Sequence, residues 1–224
     1  MMLDFGPFIL TLKLSVITTV LLFIMGVPIA YWLAYSRSRI KVLVEALVAL
    51  PIVLPPSVLG FYLLLAFSPQ NVFGKWLDQY MDMQLVFTFP GLVIASLLYS
   101  LPFMVQPIQS GFQQLPRSLM EASYTLGKGR MTTLLRVLLP NARVSIITGC
   151  ILAFAHTIGE FGVVLMVGGN IPGETRVVSI AIYDEVEAMN YDTAGIYSAI
   201  LLAFSFLVLV TVYLINFSQR SEVR

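Results

Sequence analysis

His156 and Glu160 stand four positions apart in a stretch of sequence that is otherwise almost entirely apolar. On a helix this spacing places an imidazole and a carboxylate on the same face, one turn apart. Ionisable groups inside a membrane commonly serve a function, such as relaying protons or lining a transport pathway. The structural alternative for His156 is a neutral ring packed in the core. These two residues form the first candidate site.

Lys13 is a further candidate, because this cationic residue also lies within a long apolar run. Counted from the same end of their predicted spans, Lys13 and Glu160 lie at similar depths, about 10 Å and about 12 Å at 1.5 Å per residue. A bare carboxylate in a pathway would repel an anionic cargo, so we predict an ion pair between these two residues. In the alternative, Lys13 extends toward the membrane surface and backbone groups satisfy Glu160.

The composition indicates that the elements positioning these residues are membrane-spanning helices. Lys, Arg, Asp and Glu make up 11% of the 224 residues, and 58% of the residues are hydrophobic, whereas a soluble domain has about 25% charged residues. The net charge of +1 also argues against a nucleic-acid-binding protein. The stretches without charge predict an all-α integral membrane domain with five spans of about 20 residues or more, at residues 8–34, 43–67, 87–109, 144–168 and 195–217.

The charges outside these spans predict the orientation of the chain. Basic residues cluster between spans one and two, between spans three and four, and after span five: Arg37, Arg39, Lys41, Arg117, Lys128, Arg130, Arg136, Arg143, Arg220 and Arg224. Acidic residues gather on the opposite side: Asp4, Asp78, Asp82, Glu174, Asp184, Glu185, Glu187 and Asp192. Cytoplasmic loops carry the excess of Lys and Arg. We therefore predict an outside N-terminus and a cytoplasmic C-terminus.

The basic loop between spans three and four, at about residues 113–141, contains two helical patterns. Ser118 and Glu121 have the spacing of a capping box, which predicts a helix start. After Gly127 comes an apolar stripe at helical spacing, and Pro140 ends it; the stripe consists of Met131, Leu134, Leu135, Leu138 and Leu139. The spacing alone fits either an amphipathic helix resting on lipid or a docking element for a partner.

The residues of this loop resemble the EAA loop of ABC importer permeases. The matching positions are Glu121, Ala122, Ser123, Leu126, Gly127, Leu139 and Pro140. The family usually has a second alanine where this chain has Ser123. The resemblance implies that the loop is a coupling helix, which fits into a groove on a cytoplasmic ATPase subunit. The chain has no G-x-x-x-x-G-K-[ST] motif, so we expect the partner, and not this chain, to hydrolyse ATP with Mg²⁺. We also expect no catalytic residue, metal site or cofactor in this chain.

Three further stretches, 54–60, 159–162 and 170–176, resemble the molybdate permease subunits of bacterial ABC importers. The resemblance covers essentially the whole chain. It implies a homodimeric permease of the inner membrane that works with two ATPase subunits and a periplasmic molybdate-binding protein. The alternatives are a sulfate or tungstate permease of the same class, or an ion-coupled secondary transporter. Secondary transporters commonly contain internal repeats, and we find no convincing repeat in this sequence.

The remaining pathway candidates are polar or proline-broken positions. Pro55, Pro56 and Ser57 lie within span two, where the prolines free backbone groups from helical pairing. Irregular backbone at membrane depth is tolerated where protein or water covers it, so this break is a candidate cavity or gate. Arg176 follows span four on the outer side. It is a candidate to pair with a carboxylate of the binding protein, with the anion, or with a carboxylate in its own loop.

Overall fold

The structure, a computed structural model, describes residues 4–221, so Arg224 lies outside it. Within that range the chain forms helices and no strand. We number the helices in chain order: α1 (Gly6–Tyr35), α2 (Ile40–Val53), α3 (Pro56–Phe67), α4 (Val72–Met81), α5 (Phe89–Gln114), α6 (Arg117–Thr125), α7 (Arg130–Asn141), α8 (Arg143–Ile158), α9 (Gly162–Gly168), α10 (Val178–Glu187) and α11 (Tyr191–Ser221).

Helices α1, α5 and α11 are each long and apolar enough to cross a membrane, the last of them over Tyr191–Thr211. Two bent pairs also qualify if each pair is one span: α2 with α3, at an angle of 112°, and α7 with α8, at 79°. The described residues thus contain three to five spans, and the predicted all-α membrane fold is confirmed. The short helices α4 and α10 lie outside all five spans predicted from the sequence.

Predicted span two is sharply bent where the sequence places its prolines. Helix α2 ends at Val53 and α3 begins at Pro56, with Pro55 as the residue before it. Proline lacks an amide proton, and at the first position of a helix that proton would be unpaired in any case. The chain can therefore stop one helix and start another here at little cost. The bend places Pro56 and Ser57 at the beginning of α3.

Predicted span four is not the continuous helix expected over 144–168. Helix α8 ends at Ile158 and α9 begins at Gly162, so Glu160 lies in the break between them. Its carboxylate Oε1 accepts a hydrogen bond from the amide of Val163 at 3.1 Å. The hydroxyl of Ser179 donates to the carbonyl of Glu160 at 2.5 Å. Side chains thus replace helical pairing on both sides of the break.

The core lies where α1, α5 and α8 pack against one another. Its fully buried side chains include Leu22, Leu33, Met104, Ile108, Phe112 and Ala153. Leu134 and Leu138 of α7 belong to the same cluster. Because α7 belongs to the loop that resembles the EAA loop, this contact connects that loop rigidly to the central helices.

Candidate functional site

The loop that resembles the EAA loop consists of α6 and α7, joined by an elbow at residues 126–129. Helix α6 begins at Arg117, directly after Pro116, and no side chain of the described residues caps it. The predicted capping box of Ser118 and Glu121 is therefore wrong. Because the N-cap position is Pro116, two residues earlier than predicted, Ser118 lies inside the first turn and cannot be the N-cap residue.

A buried pair of hydroxyl groups joins the two helices of this loop. Ser123 Oγ on α6 lies 2.8 Å from Thr133 Oγ1 on α7, and both side chains are buried. Thr133 donates to the carbonyl of Gly129 at 3.1 Å, so the proton between the two hydroxyls belongs to Ser123. The serine that replaces the alanine of the family pattern thus gives the loop an additional internal hydrogen bond.

The elbow carries exposed apolar side chains. Leu126 is 75% exposed and Met131 is 67% exposed. Gly127 has a φ of +71°, in the left-handed region that glycine adopts at no steric cost. Glu121, Ala122 and Pro140 are exposed, and Leu139 is partly buried. Exposed apolar groups on a rigid support are typical of a surface that a partner covers.

We expect Ser123→Ala to lower the free energy of unfolding by about 1 kcal/mol or less, because Thr133 keeps its bond to Gly129. Thr133→Val should cost more, since it leaves the buried hydroxyl of Ser123 without an acceptor. Denaturant unfolding of the detergent-solubilised chain measures both changes. The reverse order of the two losses would contradict this assignment of the proton.

Several of the predicted pathway residues line one cavity of about 540 Å³, namely Pro56, Ser57, His156 and Glu160. Tyr99 of α5, Ala155 of α8, residues 159–161 of the break and Gly162 of α9 complete its wall. The cavity depends on the close approach of α3 and α9, because a Cβ added at Gly162 would lie 2.7 Å from Cβ of Pro56. Pro55 is exposed beside the cavity and does not line it.

Lys13 does not reach this cavity, and the predicted ion pair with Glu160 is not formed. The ammonium of Lys13 lies 4.5 Å from the centroid of the Phe89 ring, a cation–π contact. Glu160 is 5% exposed; its Oε1 accepts from Val163, and its buried Oε2 has no hydrogen-bond partner among the described residues. The similar depths of Lys13 and Glu160 along their spans do not bring the two side chains together, because Lys13 projects from an exposed position of α1.

His156 is held by polar and aromatic contacts from α5. Its Nδ1 lies 3.0 Å from Ser100 Oγ, which in turn lies 3.0 Å from Thr157 Oγ1. The imidazole stacks on Phe103, with ring centroids 3.9 Å apart, and the ring of Tyr99 lies 4.8 Å away. Neither Ser100 nor Thr157 was predicted from the sequence. The sequence signal for Ser100 is that hydroxyl residues occur one helical turn apart at positions 96 and 100 of α5.

Arg176 forms an ion pair within its own outer segment. Its Nη2 lies 3.0 Å from Oδ2 of Asp184, and the amide of Asn170 donates to the same oxygen at 2.5 Å. Glu174 Oε1 accepts from the amide of Phe89 at 3.0 Å, which attaches the segment to the start of α5. Of the three partners considered for Arg176, the carboxylate in its own loop is the one that these contacts favour.

Replacing Asp184 with alanine should loosen the outer segment by about 0.5–1 kcal/mol, in the range of partly exposed ion pairs. We therefore expect the backbone amides at 170–176 to exchange hydrogen faster in this variant. Arg176→Ala should have a similar effect, and the double variant should exchange little faster than either single one. Fully additive effects of the two substitutions would show that the ion pair does not stabilise the segment.

Comparison with known proteins gives consistent matches over most of the chain. The model of a family described as "Binding-protein-dependent transport system inner membrane component" matches residues 26–221. The molybdenum transport system permease protein ModB of Azotobacter vinelandii is 51% identical over 211 residues, covering 94% of this chain and 93% of that protein. The probable sulfate transport system permease protein cysT of Nephroselmis olivacea is 34% identical over 215 residues, covering 96% of this chain and 75% of that protein.

A solved structure shares the fold. The inward-facing methionine ABC transporter MetNI matches with a TM-score of 0.71 at 16% sequence identity, covering 92% of this chain and 91% of the matched chain. At that level of identity the match shows the arrangement of the helices and says nothing about cargo. The predicted type of fold, that of an ABC importer permease, is confirmed by this match.

Proposed function

This chain belongs to the family of binding-protein-dependent transport system inner membrane components, and from that premise we propose that it is the permease subunit of an ATP-driven molybdate importer. The observation that carries the choice of cargo is the 51% identity to a molybdenum transport permease over 94% of the chain. The charge asymmetry of the loops supports an outside N-terminus, a cytoplasmic C-terminus and several passes through the bacterial inner membrane.

The elbow of the EAA-like loop is the surface that we assign to the ATPase. It carries the exposed side chains of Leu126 and Met131, and α7 connects it to the core through Leu138. A partner that moves this loop therefore moves the helices that surround the cavity. The partner loaded with ATP and Mg²⁺ would bind one arrangement of the permease better than the other, and would thereby shift the permease toward that arrangement.

The pathway requires a second copy of the chain. One chain offers a cavity of about 540 Å³ that is lined by α3, α5, α8, the break and the start of α9, and a single set of helices encloses too little volume for alternating access. A two-fold axis would place two such cavities opposite each other. We therefore propose a homodimer with two ATPase subunits, and a periplasmic molybdate-binding protein that docks on the outer segment at 169–194.

The test is uptake of radiolabelled molybdate by a deletion strain that carries this chain and its ATPase. We expect uptake in the complemented strain, no uptake when the ATPase is inactivated, and co-purification of the two subunits. Uptake that survives inactivation of the ATPase would favour an ion-coupled secondary transporter. Failure of the subunits to co-purify would contradict the assignment of the elbow.

Sulfate is the second candidate cargo, because a sulfate transport permease is 34% identical over 96% of the chain. Competition by unlabelled sulfate, tungstate and molybdate in the same uptake assay separates the candidates. Molybdate import predicts strong competition by molybdate and weak competition by sulfate. Strong competition by sulfate and weak competition by molybdate would reassign the cargo within the same class of importer.

A further inference from the structure

The hydrogen bonds around His156 determine which ring nitrogen carries the proton. Thr157 donates its single hydroxyl proton to the carbonyl of Ala153, at 2.8 Å. The contact between Thr157 and Ser100 at 3.0 Å therefore uses the proton of Ser100. Ser100 has no second proton, so in its contact with His156 it is the acceptor and Nδ1–H is the donor.

This tautomer leaves Nε2 of the neutral ring as an acceptor. Phe103 stacks on the imidazole and the Tyr99 ring lies 4.8 Å from it. Because Nδ1 is engaged by Ser100, Nε2 is the polar atom that the ring can offer to the cavity it lines. Glu160 lines the same cavity, and its Oε2 is buried without a hydrogen-bond partner among the described residues. The cavity wall thus contains a neutral acceptor, Nε2 of His156, and a carboxylate, that of Glu160.

A wall that contains an acceptor nitrogen and a carboxylate does not suit an anion unless a proton enters with it. The titratable groups at the cavity are His156, Glu160 and Tyr99; the residues of α3 and α9 in the wall, Pro56, Ser57 and Gly162, carry none. Protonation of Nε2 converts one acceptor into a charged donor, and charge-assisted hydrogen bonds to oxyanions are among the stronger ones. Nδ1–H donates to Ser100 in both protonation states, so the network around the ring need not rearrange.

We propose that His156 contacts the transported oxyanion through Nε2–H in its imidazolium form, so that the cavity takes up one proton from water with each anion. The proton returns to water when the anion leaves. Ser100 and Thr157 are positioning residues that hold the ring and set its tautomer. This inference rests on the proposed function, because it takes the cargo to be an oxyanion.

The chain has a single histidine, so the proposal can be tested by nitrogen NMR of histidine-labelled permease in its complex with the ATPase in nanodiscs. We expect the Nδ1–H tautomer without cargo. Thr157→Val frees the proton of Ser100 for Nδ1 and should convert the ring to the Nε2–H tautomer, whereas Thr157→Ser should keep the original tautomer. An Nε2–H tautomer in the unmodified complex would overturn the proton assignment.

The transport test uses proteoliposomes that contain the full complex and the binding protein, with molybdate as the probe. Uptake by the unmodified complex should decline as pH rises. His156→Gln keeps a nitrogen donor at every pH, and Thr157→Val supplies Nε2–H in the neutral ring, so both should flatten the profile. His156→Leu should lower uptake at least tenfold at every pH. Ser96→Ala, on the same helix one turn from Ser100, is the matched control and should behave like the unmodified complex.

The outcomes separate this inference from the proposed function. An assembled His156→Leu complex that imports molybdate at the normal rate would overturn the contact, and so would unchanged pH profiles of both His156→Gln and Thr157→Val. If the unmodified complex imports neither molybdate nor sulfate, the proposed function fails, whereas the tautomer found by NMR still reports on Ser100 and Thr157. Profiles flattened in the two variants and unchanged in Ser96→Ala would support proton-linked binding.

Discussion

A complex that carries Gly127→Trp is expected to import its cargo at least about tenfold more slowly than the unmodified complex, a loss of ~1.4 kcal/mol in docking free energy. The indole would project from the elbow between α6 and α7, beside the exposed Leu126. A Cβ at this position meets no described heavy atom within 4 Å, so the substitution obstructs the partner and not the interior of the permease. Co-purification of the ATPase and uptake by proteoliposomes measure the effect.

The control for this prediction is Gly127→Asn. The φ of +71° at Gly127 makes any other residue strained, by about 1–2 kcal/mol for most side chains, but asparagine tolerates this region better than most residues do. Gly127→Asn should therefore retain most ATPase binding and uptake. Equal losses in both variants would trace the effect to backbone strain, and normal binding and uptake with tryptophan would contradict the coupling role of the elbow.

The long apolar runs allowed α1 and α5 to be predicted from the sequence alone. The predicted spans 8–34 and 87–109 agree at their starts with Gly6–Tyr35 and Phe89–Gln114 to within two residues. The break at Glu160 was not predictable in this way, because the apolar pattern continues through Phe161 into 162–168. The break is stabilised by the amide of Val163, which donates to the side chain of Glu160, and by Ser179 of α10, which donates to the carbonyl of Glu160.

The candidate site could be predicted from the sequence only in part. His156 and Glu160 were selected because ionisable groups are costly inside a membrane, and Ser57 because it lies at the proline break of span two. The packing of α3 against α9 brings them to one cavity. Depth along a helix, however, does not specify direction around it, so the sequence could not show that Lys13 faces Phe89. Nor could it show that Ser100 of α5 meets His156, since that contact depends on how α5 packs against α8.

Glu160→Ala is expected to lower the free energy of unfolding by about 1–3 kcal/mol, the cost of leaving a buried polar group unsatisfied. The substitution removes the acceptor for the amide of Val163 at the start of α9. Denaturant titration of the detergent-solubilised chain, followed by the fluorescence of Trp32 and Trp76, measures the loss. The bond between Ser179 and the carbonyl of Glu160 does not involve the side chain and should persist.

Glu160→Gln separates the structural role of this side chain from its charge. The amide oxygen of glutamine can still accept from Val163, and an uncharged amide nitrogen replaces the buried Oε2, which has no partner among the described residues. Because an unpaired buried charge is costly, Glu160→Gln should unfold at the same or a higher denaturant concentration than the unmodified chain. A loss as large as that of Glu160→Ala would mean that the ionised carboxylate itself stabilises the break. If stability is kept, any change in uptake by this variant reports on the cavity and not on the fold.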